Sequence, residues 1–194
     1  MLEIMCHPFF ERSLFKMEFQ NLIESRRSIR KYAAGVTISN DELKEMAAAA
    51  LHAPSWKNTE TARFYFVNGD KLADFAAKCL PSFNQANTIN CGAYAVTTYV
   101  LGQSGYATEG QLANEIGEAW GAYDLGLNNM IFTLKAKEMG YDTLIMGIRD
   151  TEAIKSYFNI ADNEAIVAVI GLGKAAGPVN MPRRKAVDDV VKFA

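Results

Sequence analysis

ANEIGEAWGAYDLGLNNMIFTLKAKEM, residues Ala113 to Met139, is a proline-free run in which Ile116, Trp120, Tyr123, Leu127, Met130, Ile131 and Leu134 recur at helical intervals. The spacing predicts one long helix. Its apolar positions are more than one thin stripe requires, so it is either buried within one chain or covered by a second protein surface. Downstream, Asp142–Met146 reads as a buried strand, Thr151–Phe158 as a short helix and Ala165–Leu172 as a strongly apolar strand before a tail rich in Gly and Pro. Upstream, Gly102–Gly110 is a surface loop by composition and a candidate active-site rim. Before it stand the strand Ala93–Leu101, dense in Val, Thr and Tyr, and the strand Arg63–Val67, ended by Asn68-Gly69 ahead of a helix from near Asp70. Ser39 and Glu42 form a capping box for a helix carrying Leu43, Met46, Ala47, Ala50 and Leu51, which Pro54 halts. A first short helix with Phe19, Leu22 and Ile23 ends near Ser25 to Arg27. Strands alternating with helices around a long central helix give an α+β or α/β sandwich, its mixed sheet flanked by helices.

A chain of 194 residues without an interdomain linker suits one folding unit. Met17 makes a natural beginning, so residues 17–194 are expected to form the single domain and residues 1–16 an N-terminal extension. A formal net charge of -2 gives no global attraction to polyanions, which excludes a nucleic-acid surface and makes each basic cluster a local device. No run approaches a membrane span, and no export signal opens the chain. Cys6, Cys79 and Cys91 fall in no C-x-x-C pair, which argues against a disulfide framework and for a reducing, cytoplasmic setting. With His7 and His52 alone beside them, a transition metal has little ligand material, and none is expected.

The chemistry concentrates in Ser25-Arg26-Arg27-Ser28-Ile29-Arg30-Lys31-Tyr32, which holds four cations and two serines in eight positions. Arginine forks match phosphate oxygens bidentately and serine hydroxyls can complete the shell. A solvated cationic helix end, favourable with the macrodipole and needing no ligand, explains the same residues. A competing motif, Gly171-Leu172-Gly173-Lys174-Ala175-Ala176, has dinucleotide-fingerprint spacing if alanine may replace the last glycine. It fails because Gly177-Pro178 follows at once, where a fingerprint opens a helix with an acidic residue roughly 20 positions later. A strand ending in a turn is the better reading.

Arg26-x-Ser28-x-Arg30 near the start of the domain resembles the opening motif of the nitroreductase family. The resemblance continues in order through Ala53-Pro54-Ser55-Trp56-Lys57-Asn58, Phe83-Asn84-Gln85, Tyr123-Asp124-Leu125-Gly126, Lys137–Tyr141 and Leu144-Ile145-Met146-Gly147. It ends with Pro182-Arg183-Arg184-Lys185 before Asp188-Asp189-Val190, and so covers essentially Met17 to the C-terminus. It implies a mainly antiparallel sheet, a homodimer with the long helix at its interface, and FMN as cofactor. NADH or NADPH would deliver hydride, and a nitroaromatic, quinone or similar small acceptor would then take electrons at the same face, in a ping-pong cycle. The chemistry would lie on the flavin, with no catalytic side chain demanded.

By the same resemblance Arg26, Arg27 and Ser28, with Arg183 or Arg184, would hold the phosphate, and Arg30 would sit toward the pyrimidine end of the ring. Asn84 would bond the ring edge, and the backbone at Met146-Gly147 would approach the hydride-accepting nitrogen, the Met146 side chain being equally well explained by strand packing. Pro54, Ser55, Trp56 and Asn58 would arrive from the partner subunit. Two positions depart from the family pattern. Asn58-Thr59-Glu60-Thr61-Ala62 stands where Asn-x-Gln-Pro-Trp is usual, so that Trp56 either replaces the missing aromatic or simply packs, and Asn87 stands where some members carry a cation. Other readings are an FMN-binding or phosphoanion-binding module without turnover, and a flavin-fragmenting or dehalogenating relative, for whose lid segments the chain has little room.

Overall fold

The computed structural model describes residues 18–194; the expected extension at 1–16, and Met17, lie outside the described residues. Helix α1 (Phe19–Ser25) leads into the basic segment, and α2 spans Asn40–Ala50. The capping box of α2 forms as its sequence demands. Ser39 Oγ accepts the Glu42 N–H and Glu42 Oε2 accepts the Ser39 N–H at 3.0 Å, satisfying two of the helix's otherwise free donors. Strand β1 (Ala62–Asn68) is followed by helices α3 (Leu72–Cys79) and α4 (Ser82–Asn87), then by strand β2 (Ala93–Val100). The sequence reading has no counterpart for α4, whose six residues are too few to show a period.

A small hairpin of β3 (Tyr106–Thr108) and β4 (Gln111–Leu112) occupies the glycine-rich loop. The long helix α5 runs Ala119–Glu138, starting six residues later than its pattern suggests. Residues 113–118 are instead folded against the hairpin: the Ala113 N–H reaches Gly105 O at 2.9 Å, and Gly117 takes φ +56, outside the helical region. Strand β5 (Asp142–Met146), helix α6 (Thr151–Phe158) and strand β6 (Glu164–Gly173) complete the domain.

The main sheet has the order β1-β2-β6-β5, and every pair of these strands is antiparallel. Its parallel element is a single bridge between Ser28 and Thr143. Alternation along the central strands builds two cores. Tyr94, Val96, Val169, Leu144 and Met146 point to the face covered by Phe75 of α3 and Ile154 of α6. Their neighbours Ala93, Ala95, Ile170 and Leu172 point to the face covered by Leu43 and Met46 of α2 and Phe132 of α5. Burial on both faces explains why β2 and β6 read as continuous apolar runs.

The buried side of α5 mixes Leu125, Phe132 and Ala136 with polar groups, and apolar residues also stand on its outer side. Asp124, Asn128, Asn129 and Thr133 are buried, while Tyr123 is 58% and Met130 43% exposed in the isolated chain. Leu127, Ile131 and Leu134 are half-buried beside them. Burial within one chain therefore accounts for only part of the apolar pattern on this helix.

Candidate functional site

The basic segment is seated by its two apolar residues. Ile29 and Tyr32 are buried, the Ile29 N–H donates to Thr143 O at 3.0 Å, and the Tyr32 hydroxyl donates to Gly171 O at 3.1 Å. Lys31 O accepts the Ala176 N–H at 3.0 Å, tying the segment to the tail that leaves β6. A Cβ on Gly173 would lie 2.6 Å from the Tyr32 ring, so the glycines of Gly171-Leu172-Gly173 make room for this aromatic anchor. No helix follows them; the Gly-x-Gly pattern is a packing feature.

This seating gathers Arg26 and Arg27 with Arg184 of the tail. Among the described residues none of the three has an ion pair, and the pKa of Arg26 is lowered by burial and by the neighbouring charges of Arg184 and Arg27. Arg27 donates through Nη1 to Glu24 O and Arg26 O, and its buried Nε has no partner. Cations in mutual repulsion with unused donors fit a phosphate group and fit poorly with a merely solvated helix end. Ser28 and Arg30 line an adjoining cavity of 350 Å³ with Pro178 and Val179. Arg183 is exposed on the tail.

A second group of residues meets where β5 ends. Met146 is buried, with its Cε 3.8 Å from the position of a Gly171 Cβ, so its side chain packs in the core. Gly147 is exposed, and a Cβ there would meet nothing within 4 Å, which leaves its backbone open to a ligand. Asn84, on α4, is 5% exposed and donates through Nδ2 to Ile148 O at 2.7 Å. Arg149, absent from the sequence reading, donates through Nη1 to Gly147 O at 2.7 Å and through Nη2 to Ile166 O.

The third group lies apart. The segment Pro54 to Asn58 precedes β1, at one edge of the sheet, whereas Arg26 to Arg30 runs beside β5, at the other. With strands about 4.8 Å apart, three strand steps separate these edges by roughly 14 Å within one chain. The loop is built with strain: Lys57, Asn58 and Glu60 have φ values of 47, 55 and 49, each costing on the order of 1 kcal/mol. Its bonds hold it there. Asp124 Oδ2 accepts the Trp56 N–H at 2.9 Å and the Ser104 hydroxyl at 2.7 Å, Ser55 Oγ accepts the Glu60 N–H at 3.1 Å, and Lys57 Nζ donates to Tyr106 O and Ala107 O.

The Trp56 ring packs at a tilt against Trp120, centroids 4.9 Å apart, and donates to Tyr106 O, so it packs against its own chain's hairpin. Where the family pattern would have Gln-Pro-Trp, Glu60 accepts a hydrogen bond from Asn58 Nδ2 at 3.1 Å, and Thr59 and Thr61 contact Ser104. Asp124 and Ser104 are the supports that sequence reasoning missed as such; the available signal was that Asp124 is the one charged residue between Ala119 and Leu134. Among the described residues no cluster of His, Cys, Asp and Glu could hold a metal ion, and no helix is long and apolar enough to cross a membrane.

Fold and site together define an α+β domain with a cationic, phosphate-fitting segment at one sheet edge and a strained loop at the other. The sequence model of the nitroreductase family matches residues 23–174, and the chain belongs to that family. It is similar to two Bacillus subtilis proteins that carry the name NAD(P)H nitroreductase. YodC is 26% identical over 88% of this chain and 96% of its own, and YdgI is 28% identical over 91% and 97%. Among solved structures, a nitroreductase in complex with FMN from Exiguobacterium sibiricum shares the fold, with a TM-score of 0.77 and 23% identity over 92% of this chain and 98% of that one.

Proposed function

We propose that the protein is an FMN-dependent oxidoreductase that passes reducing equivalents from NADH or NADPH to nitroaromatics, quinones or similar small acceptors. One observation carries the reading: Arg26, Arg27 and Arg184 gather with no ion pair among the described residues, and the buried Arg27 Nε has no partner. The family membership and the names of YodC and YdgI support the activity, and the FMN in the Exiguobacterium structure supports the cofactor.

FMN, when bound, supplies the hydride acceptance and donation that side chains cannot. The chain's own residues bind and orient it. Arg26, Arg27, Ser28 and Arg184, with Arg183 beside them, neutralise the phosphate, and Arg30 favours negative charge at the pyrimidine end of the ring by Coulomb attraction. Asn84 and the backbone at Gly147 frame the ring edge. Because donor and acceptor use one open face, they bind in turn, which makes the cycle ping-pong.

The working unit in this reading is a homodimer. The exposed side of α5, with Tyr123 and Met130, is the apolar surface two copies would share, and Pro54, Ser55 and Asn58 belong to the partner's site, with Trp56 bracing their loop from within its own chain. A cytoplasmic location goes with nicotinamide cofactors and with cysteines outside any C-x-x-C pair. Heat release of the cofactor and its chromatography test the proposal. One FMN per chain is expected; stoichiometric FAD, or a chain that takes up no flavin, would overturn it.

A further inference from the structure

The two carbonyls that follow strand β5 are both held by side chains. Arg149 Nη1 donates to Gly147 O at 2.7 Å, and Asn84 Nδ2 donates to Ile148 O at 2.7 Å. In a trans peptide plane the C=O and the next N–H point in opposite directions, so a Gly147 carbonyl drawn toward Arg149 turns the Ile148 N–H away from it. Among the described residues that N–H has no acceptor. Ile148 is 65% exposed, and Gly147 beside it presents no side chain.

Arg149 itself lacks a counter-charge. Among the described residues it has no ion pair, and its buried Nε has no partner. The adjacent Asp150 carboxylate is turned to the N-terminus of α6, where Oδ1 accepts the Ala153 N–H at 2.9 Å. Lys78, Asp150 and Glu152 line a cavity of 430 Å³ with Arg149, and Lys78 pairs with Asp74 at 2.8 Å. Burial lowers the Arg149 pKa, the mark of a cation held with little compensation. A surface arginine with no task would gain by turning into water; this one stays clamped to two carbonyls.

We infer that Arg149 is a positioning and potential-setting residue for the cofactor face: it fixes the Gly147–Ile148 peptide with its N–H free for an acceptor atom on the edge of the flavin ring. A charge-assisted bond to the peptide oxygen polarises the whole unit and strengthens the N–H as a donor. Donor and cation together favour the electron-rich state of the group they face. The inference rests on the FMN reading above, to which it adds a residue on which the redox balance depends.

The test measures the flavin midpoint potential and visible spectrum of the FMN-loaded protein for Arg149→Gln, Arg149→Leu and Arg149→Lys. Gln and Leu remove the charge, and they should weaken binding of reduced relative to oxidised FMN roughly tenfold, seen as a more negative potential. Lys should restore part of the shift. A thermal melt of each FMN-free variant separates loss of fold from loss of tuning, and Lys, which keeps the charge, serves if Gln and Leu fail to fold. Normal FMN binding with an unchanged potential in folded Gln and Leu variants would reduce Arg149 to a structural tie and overturn this inference alone. Should Gln and Leu not fold, a folded Lys variant whose potential falls by the full tenfold equivalent although it keeps the charge would overturn it too. An unsubstituted chain that binds no FMN would instead overturn the proposed function, and the inference with it.

Discussion

Asp124, in the second turn of α5, accepts the main-chain N–H of Trp56 at 2.9 Å and so fastens a strained loop to the longest helix. The same carboxylate oxygen accepts Ser104 at 2.7 Å, joining the loop preceding β1 to the segment preceding the hairpin. A buried carboxylate that holds two elements at once does more for geometry than for net stability. Asp124→Ala is expected to cost about 3 kcal/mol, since two bonds to a charged group are lost and their donors stay buried. Asp124→Asn, which keeps an accepting oxygen, should cost less. Urea denaturation of the two variants checks both the size and the order; equal, negligible losses would remove Asp124 from this role.

Arg30 is exposed, lines the cavity beside Pro178, and sits close enough to Tyr32 to oppose the rise of that phenol's pKa. Arg30→Ala should weaken FMN binding by about tenfold and make the flavin potential more negative. An idle surface arginine would change stability by only about 0.5 kcal/mol and leave the flavin untouched. Titration of apo-protein with FMN, followed by redox titration, decides between them.

Met130 is 43% exposed on the side of α5 away from the sheet, and a Cβ on Gly126 would meet nothing within 4 Å of its own chain. Met130→Glu and Gly126→Leu should therefore leave the fold intact yet weaken the proposed dimer by about a hundredfold, through an uncompensated charge and through lost close approach. Sedimentation velocity measures this directly. Mixing an Arg26→Ala/Ser28→Ala chain with an Asn58→Ala chain should restore one intact site in each mixed dimer, so flavin binding partly returns. Full FMN binding by a monomer would exclude shared sites.

Alkaline pH should destabilise the fold. Burial pushes the Cys79 and Cys91 thiols up to about 11, and raises the Tyr32 and Tyr94 phenols as well. Their neutral forms are favoured in the folded state, so this stability is fully present below the unfolded values, 9.0 for the thiols and 10.0 for the phenols, and is lost as pH rises toward the folded ones. The melting temperature should stay level to about pH 8 and fall steadily above about pH 9. A level profile through pH 11 would contradict the burial of these groups.

The parts of this molecule that follow one period were readable from residues alone. The bounds of β5 and α6 and the capping box at Ser39 each follow a local rule, alternation or a cap, and the basic cluster at Arg26 to Arg30 is visible as a run of charges whose phosphate role the residues alone left open. The onset of α5 at Ala119 was not readable, because Ile116 extends the helical spacing while the hairpin packed on Gly117 decides the backbone. Helix α4 is too short for any period. Arg149 escaped because the two carbonyls it binds, Gly147 and Ile166, are brought together only by the β5–β6 pairing. Trp56 could be read two ways, and its contact with Trp120 comes from folding across 64 residues of chain.

Anaerobic titration of the purified protein with NADH or NADPH, followed by a nitroaromatic or quinone, tests the central claim most directly. The account predicts a yellow protein whose visible absorption bleaches with one equivalent of nicotinamide cofactor per flavin and returns in full when the acceptor is added. A flavin spectrum unmoved by both NADH and NADPH would contradict it.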